Sequence, residues 1–332
     1  MKWVLGIFGG LLAVLLVAFL ILRTPDTDPA EMRAKYGGEP SQFIAIGGGV
    51  TVHVRDEGAG AESQGQADME DRPVIMLLHG SNADLQTWQP WVDALSDDYR
   101  IVRFDQVGHG LTGADPRSDY SRSNYVEDIR EVADALGLDR FVIGGSSMGG
   151  KHALAFAARY PERVRGLILV GSSGAPMPET TSDEEDEGGN IGFAIAAMPG
   201  VNRIVEQVTP RFLIEQSLDE TVAVEGVVTE EMIDRYWELL RYPGNRRATM
   251  DRFSSEYDPL TQEQVAAIDA PALILHGAED GLIPPSAGRW LDETLPNSSL
   301  TIYPGIGHLP HEEAPQATIT RVENWLETTF DR

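Results

Sequence analysis

Four short stretches, PVIMLLHG, RIVRFD, RFVIGG and GLILVGS, are apolar nearly throughout. Between them lie LQTWQPWVDAL, YVEDIREVADALG and MGGKHALAFAARY, in which apolar residues recur at intervals of three and four. A strand that is apolar on both of its alternating faces needs cover on both sides. An amphipathic helix after each strand supplies that cover, and strand–helix–strand crossovers make the paired strands parallel. The rhythm therefore predicts an α/β fold, a mostly parallel sheet with helices on both faces. Two alternating runs, QFIAIGGG and VTVHVRD, precede it and suit an antiparallel hairpin. PALILHG and SSLTIYPG resume the strand pattern late in the chain and bring the expected count to eight strands. PQATITRVENWLETTF then closes with a helix.

The rhythm breaks at Ser172. An acidic run, SDEEDEGGN, and helical patterns in NIGFAIAAMPGV, PRFLIEQSL and TEEMIDRYWELLR fill the interval before PALILHG. Residues 172–260 are accordingly expected to form a helical lid inserted between core segments 41–171 and 261–332. GAGAESQGQADMEDR reads as a loop, since it is rich in Gly, Ala and polar residues. At the other end, Trp3 to Leu22 is an uncharged run of 20 residues. As a helix it would rise about 30 Å, the thickness of a bilayer's hydrocarbon core. It exceeds the apolar region of a signal peptide, and AFLILRTPD offers no small-x-small cleavage site after it. Residues 1–23 are therefore expected to be a transmembrane anchor and 24–40 a polar linker, with the folded domain outside the cytoplasm.

Composition excludes several classes. Of 332 residues, 52 are acidic and 26 basic, giving a formal charge of −26. That field repels a phosphate backbone and argues against a nucleic-acid partner. With no cysteine there is no disulfide, thiolate metal site or cysteine nucleophile. The acidic run sets Asp183, Glu185, Glu187 and Gly188 in alternation like a calcium loop, but its twelfth position is Ala194 rather than glutamate. HEEAP is not H-E-x-x-H, and no zinc spacing occurs. No metal and no other cofactor is expected.

G-x-S-x-G is met in one register, Gly145-Ser146-Ser147-Met148-Gly149, directly after RFVIGG and before MGGKHALAFAARY. A serine on a tight strand-to-helix turn has its oxygen exposed, and the next N–H sits at a helix N-terminus where it can stabilise an oxyanion. Ser147 is then the candidate nucleophile and Ser146 the variable position before it. A serine needs a base and an orienting acid. His53, His79 and His276 sit in or at the ends of strands and His152 in the helix after the motif, where packing or a local hydrogen bond accounts for each. His109, in DQVGHG, occupies a Gly-rich loop placed to line the site. His308, in YPGIGHLPHEEAP, follows the last strand, where side chains reach the carboxyl edge of the sheet. His311 ranks second. LILHGAEDGLIPP sets Asp280 after the penultimate strand, and its Gly-x-x-Asp spacing favours it over Glu279.

These motifs resemble those of the α/β-hydrolase superfamily from about Gln42 to Phe330, interrupted by the insertion. The family's order of serine, acid and histidine is met by Ser147, Asp280 and His308. HGSN, GSSMG, GAEDGLIP and GHLPHEEAP fall in the right order on the right elements. The resemblance implies an oxyanion hole from the backbone N–H groups of Ser81 and Met148, with Asn82 as an alternative or supplementary donor. It departs at FDQVGHGLT, where Gln106-Val107 follows Asp105 in place of the usual arginine or leucine-proline pattern. It implies hydrolysis of carboxylic esters of small molecules through an acyl-enzyme. The apolar residues of the insertion favour hydrophobic esters, and Asn82, His109 and Trp237 are expected near the pocket. Hydrolases that cleave carbon–carbon bonds in ring-fission products share a Ser-Met-Gly-Gly elbow and are the alternative. They commonly carry tryptophan after the histidine, where this chain has Leu309. A silent hydrolase fold used as a binding module is the non-enzymatic alternative.

Overall fold

The structure, a computed structural model, describes residues 22–58, 74–174, 207–254 and 258–330, with scattered positions before them. Its strands are β1 (Ser41–Ala45), β2 (Thr51–Gly58), β3 (Ile75–Leu78), β4 (Arg100–Phe104), β5 (Phe141–Ser146), β6 (Val164–Val170), β7 (Ala272–Gly277) and β8 (Ser298–Tyr303). They form an eight-stranded sheet in the order β1-β2-β4-β3-β5-β6-β7-β8. The β1–β2 and β2–β4 pairs are antiparallel, and every other pair is parallel.

Strand side chains alternate between two apolar layers. Met76 and Leu78 of β3, Ile143 of β5, and Leu167 and Leu169 of β6 face one layer, which contains the helices Arg122–Ala135 and Met148–Arg159. Ile75, Leu77, Val142, Ile168 and Val170 face the other, against Trp91 of Gln89–Leu95 and Val322 and Trp325 of Pro315–Phe330. This two-sided burial is why the strands read as continuous apolar runs. Each such side chain contributes about 1.5–3 kcal/mol relative to exposure.

Between β6 and β7 lie the helices Arg211–Asp219, Glu230–Leu240 and Asn245–Phe253. Residues 175–206 and 255–257 are outside the described residues, and with them the acidic run; so is most of the loop expected after Gly58. In Glu230–Leu240, Thr229 accepts from Met232 N (3.2 Å) and so caps the helix. Its buried residues Met232, Ile233 and Tyr236 pack with Ala83 and Leu309, which belong to loops at the carboxyl edge of the sheet.

Two features differ from expectation. The stretch 24–40, read as a linker, holds the helix Pro29–Tyr36, with Asp28 as its cap and proline in its first turn. It is fastened to the insertion: Arg246 donates to Thr24 O (2.8 Å) and pairs with Asp26 (2.6 Å), and Lys35 and Tyr36 both donate to Glu238 at 2.7 Å. The membrane anchor expected at 1–23, and with it the extracytoplasmic placement, is not upheld. Among the described residues no helix is long and apolar enough to cross a membrane. A span takes about 20 successive apolar residues in one helix. The longest described helix, Pro315–Phe330, has 16 and includes Arg321, Glu323 and Glu327. Most of 1–23 lies outside the described residues.

Leu77→Ala removes a side chain that is 0% exposed at the centre of the second layer. It is expected to cost about 2–5 kcal/mol, read as a lower urea midpoint at unchanged m-value. An unchanged midpoint would contradict the two-layer packing.

Candidate active site

The parallel strands point the same way, so the loops at their carboxyl ends collect along one edge. β3 leads to His79–Asn82, β4 to Asp105–His109, β5 to Ser147, β6 to Gly171, β7 to Asp280 and β8 to His308.

Ser147 joins β5 to the helix Met148–Arg159 with φ 53° and ψ −116°. Such a conformation is strained for any residue with a side chain. The glycines around it allow the chain to close: a Cβ on Gly145 would lie 2.2 Å from Gly149 C, and one on Gly149 would lie 2.3 Å from Leu78 O. Ser146 ends β5 at 1% exposure, and its Oγ has no hydrogen-bond partner among the described residues. Ser147 is only partly buried. Its N–H donates to Val170 O (3.0 Å), and its carbonyl accepts from Ser173 N (3.2 Å) and Oγ (3.0 Å).

Asp280 and His308 meet directly, with His308 Nδ1 2.8 Å from Asp280 Oδ2. Nδ1 therefore carries the donated proton, and Nε2 is the basic nitrogen turned away from the acid. The N–H groups of Leu282 and Ile283 both donate to Asp280 Oδ1 at 2.9 Å. Burial pushes the Asp280 carboxyl up, but hydrogen bonds from His276 and His308, the charge of His308 and the Ile283 N–H outweigh it. The carboxyl is held well below the usual range. Gly171, at φ 48°, links this pair to the serine turn, because it follows the Val170 carbonyl that holds Ser147. A Cβ there would lie 2.7 Å from His308 O, 3.4 Å from His308 Nδ1 and 3.5 Å from Asp280 Oδ2.

The loop bearing His308 is fixed by Glu313. Its carboxylate accepts from Gly307 N (2.9 Å) and Leu309 N (3.0 Å) on either side of the histidine. It also accepts from Ala223 N (2.7 Å) and Val224 N (3.2 Å) of the insertion. His311 is taken up by packing: it is 0% exposed and its Nε2 lies 2.9 Å from Thr87 Oγ1. Burial, helped by the charge of His308, lowers its pKa to about 3.

On the opposite side, Gly80 abuts the serine, a Cβ there lying 3.3 Å from Ser147 Cβ. Ser81 and Asn82 follow in a turn, Asn82 with φ 59°. Arg252, near the end of Asn245–Phe253, gathers this side. It donates to Ser81 Oγ (2.6 Å) and Asn82 Oδ1 (3.4 Å) and contacts His109 Nε2. Thr249 Oγ1 also donates to Asn82 Oδ1 (3.1 Å). Burial and the Arg252 charge hold the His109 pKa well below its ordinary value, which suits an Nε2 that accepts and an Nδ1 that donates to Val107 O (3.1 Å). Trp237 makes its contacts within the insertion: its indole donates to Thr209 O (2.7 Å), and Arg241 lies 3.5 Å over its ring.

The departure at Gln106 has a physical counterpart. Gln106 N donates to His79 Nε2 (3.0 Å), its amide donates to His79 O (2.8 Å), and its Oε1 accepts from His152 Nδ1 (2.7 Å). It thus ties the loop before Ser81 to the helix after Ser147. No motif marks Arg252 or Glu313 for such roles in the sequence; the only advance signal was the unusual residue at 106.

A sequence profile described as the alpha/beta hydrolase fold matches residues 73–315. The chain belongs to the α/β-hydrolase fold family. This hydrolase is 27% identical over 292 residues to a 2-hydroxy-6-oxo-2,4-heptadienoate hydrolase of Pseudomonas putida, covering 85% of this chain and 95% of the relative. Among solved structures, the meta-cleavage product hydrolase of Pseudomonas fluorescens IP01 is 25% identical at a TM-score of 0.68, covering 86% of this chain and 97% of its own. A thermophilic esterase from Thermogutta terrifontis is also 25% identical, at a TM-score of 0.69 and coverages of 87% and 99%.

Arg252→Met releases Ser81, Asn82 and His109 together while keeping most of the apolar stem. Turnover is expected to fall on the order of 10- to 10²-fold, as displacement of a site loop does, with the far-UV spectrum unchanged. Steady-state rates equal to wild type would show that the loop holds its place without Arg252.

Proposed function

We propose that this hydrolase cleaves carboxylic esters of small hydrophobic molecules through an acyl-enzyme on Ser147. His308 Nε2 takes the proton from the Ser147 hydroxyl as its oxygen attacks the ester carbonyl, and Asp280 holds the imidazole's tautomer and offsets its charge. The N–H groups of Ser81 and Met148 receive the oxyanion. The second of these opens a helix, where N–H groups lack intrahelical partners and the dipole favours negative charge. The alcohol leaves with the proton from His308, and water then attacks the acyl-enzyme with His308 again as base. The reading rests above all on one observation: a strained serine at a strand–helix turn shares a corner of the sheet, across Gly171, with a hydrogen-bonded Asp280–His308 pair.

Preference for an apolar acyl group is supported by the cluster of Ala83, Leu218, Met232, Ile233, Tyr236 and Leu309, which sits beside His308. On this reading the helices Arg211–Asp219 and Glu230–Leu240 act as a lid, with Leu218, Met232, Ile233 and Tyr236 on its inner side. Carbon–carbon bond cleavage is a second reading, favoured by the likeness to the Pseudomonas putida hydrolase. Leu309 after His308, where carbon–carbon hydrolases commonly carry tryptophan, favours the ester reading.

The two separate on substrates. With nitrophenyl esters, kcat/KM is expected to rise from acetate toward longer acyl chains, and Ser147→Ala to lower kcat by about 10⁴-fold or more. A steady fall from acetate onward would contradict the hydrophobic preference. Turnover of a ring-fission dienoate without turnover of any ester would establish the second reading instead.

A further inference from the structure

His276 closes the apolar run of β7 and is 0% exposed. Its Nε2 lies 2.8 Å from Ile283 O and 3.3 Å from Asp280 Oδ2. A carbonyl oxygen only accepts, so Nε2 carries the proton, and that N–H is shared between Ile283 O and the carboxylate. The other ring nitrogen, Nδ1, is buried with no hydrogen-bond partner among the described residues. It packs on Gly288, where a Cβ would lie 2.9 Å away. The ring is thus packed with Nε2–H on Ile283 O as its shorter partner and the acid's Oδ2 as its longer one.

We propose that His276 is a positioning residue for the hydrolytic reaction, its Nε2–H fixing the Asp280 carboxylate so that Oδ2 is presented to His308 Nδ1. The proposal rests on reading Ser147, Asp280 and His308 as the reacting set. Asp280 Oδ1 already takes two backbone N–H groups, from Leu282 and Ile283. Oδ2 takes the two imidazoles, His308 at 2.8 Å and His276 at 3.3 Å. Every direction open to the carboxylate is therefore occupied, and only His276 can be removed without touching backbone or base. Without it Oδ2 keeps one donor and becomes more basic, so it binds the proton on His308 more strongly. The acid limb of the rate profile then moves up.

Other ionisable groups near the pair come from two segments. Glu279 precedes the acid and is exposed, and Glu313 is committed to four backbone N–H groups. His311 has its pKa lowered by burial to about 3, too far down to shape a limb near neutrality. Glu312, pushed up to about 7 by burial, contacts Thr87 and would titrate in that range. The experiment is therefore run in a Glu312→Gln background.

In that background, kcat/KM for a nitrophenyl butyrate is measured against pH for His276, His276→Leu and His276→Gln. The leucine variant is expected to shift the acid limb upward by about half a unit or more, with KM within about twofold. Glutamine, whose amide N–H replaces Nε2–H, is expected to restore it. Gly288→Ala, whose methyl would lie 2.9 Å from Nδ1 and displace the ring, gives a second perturbation should leucine fail to fold, and is expected to move the limb from its wild-type position. Limbs at the wild-type position in leucine and alanine variants, or equal shifts for leucine and glutamine, would overturn the proposal. Fluorophosphonate labelling that survives Ser147→Ala would instead overturn the underlying assignment, so the two failures are distinguishable.

Discussion

The central strands β3, β5, β6 and β7 are covered on both faces, and their backbone groups are used by neighbouring strands. A sheet buried in this way has no face to offer a ligand, and only the loops at its carboxyl ends bring side chains to a common place. The turn at Ser147 is set by the same burial. β5 enters it and the helix Met148–Arg159 leaves it under close packing, and the glycines at 145 and 149 admit backbone approaches that any Cβ would block. The strain at Ser147 is therefore held by the sheet rather than by the loop itself.

The polar groups at the edge fasten distant segments to one another. Glu313 ties the loop of His308 to Ala223 and Val224, and Arg252 ties Ser81 and Asn82 to Asn245–Phe253. Both loops that flank Ser147 are thereby fixed to the same insertion. Hydrogen bonds of this kind, to charged groups and away from water, are worth about 1.5–3 kcal/mol each. They also couple any movement of the insertion to the geometry around Ser147, His308 and Ser81. Gln106 does the same inside the core, joining His79 to His152.

What the sequence makes legible follows from short-range periodicity. The two-faced strands, the opening hairpin and the helices between them repeat at fixed intervals, and the eight strands stand where those intervals place them. Ser147, Asp280 and His308 came forward because each follows a strand within a recognisable pattern, and the structure sets the last two within 2.8 Å. Arg252, Glu313 and His276 were not legible as parts of the site. Arg252 reaches Ser81 across 171 residues, and Glu313 reaches Ala223 across 90, distances over which no local pattern carries information. His276 lies four residues before Asp280, yet its role depends on the turn that folds Ile283 back upon it. The N-terminal segment misled for a related reason. Its polar composition at 24–40 suits a linker, whereas Thr24 and Asp26 are held by Arg246 of the insertion.

The claim on which the rest depends is that Ser147, rather than Ser146, is the nucleophile served by His308 and Asp280. Peptide mass mapping of the folded protein after reaction with a fluorophosphonate tests it most directly. The account predicts a single adduct in the peptide containing GGSSMGG, located by fragmentation at Ser147 and slowed greatly in His308→Ala. An adduct at Ser146, or one at Ser147 whose rate is indifferent to His308, would contradict it.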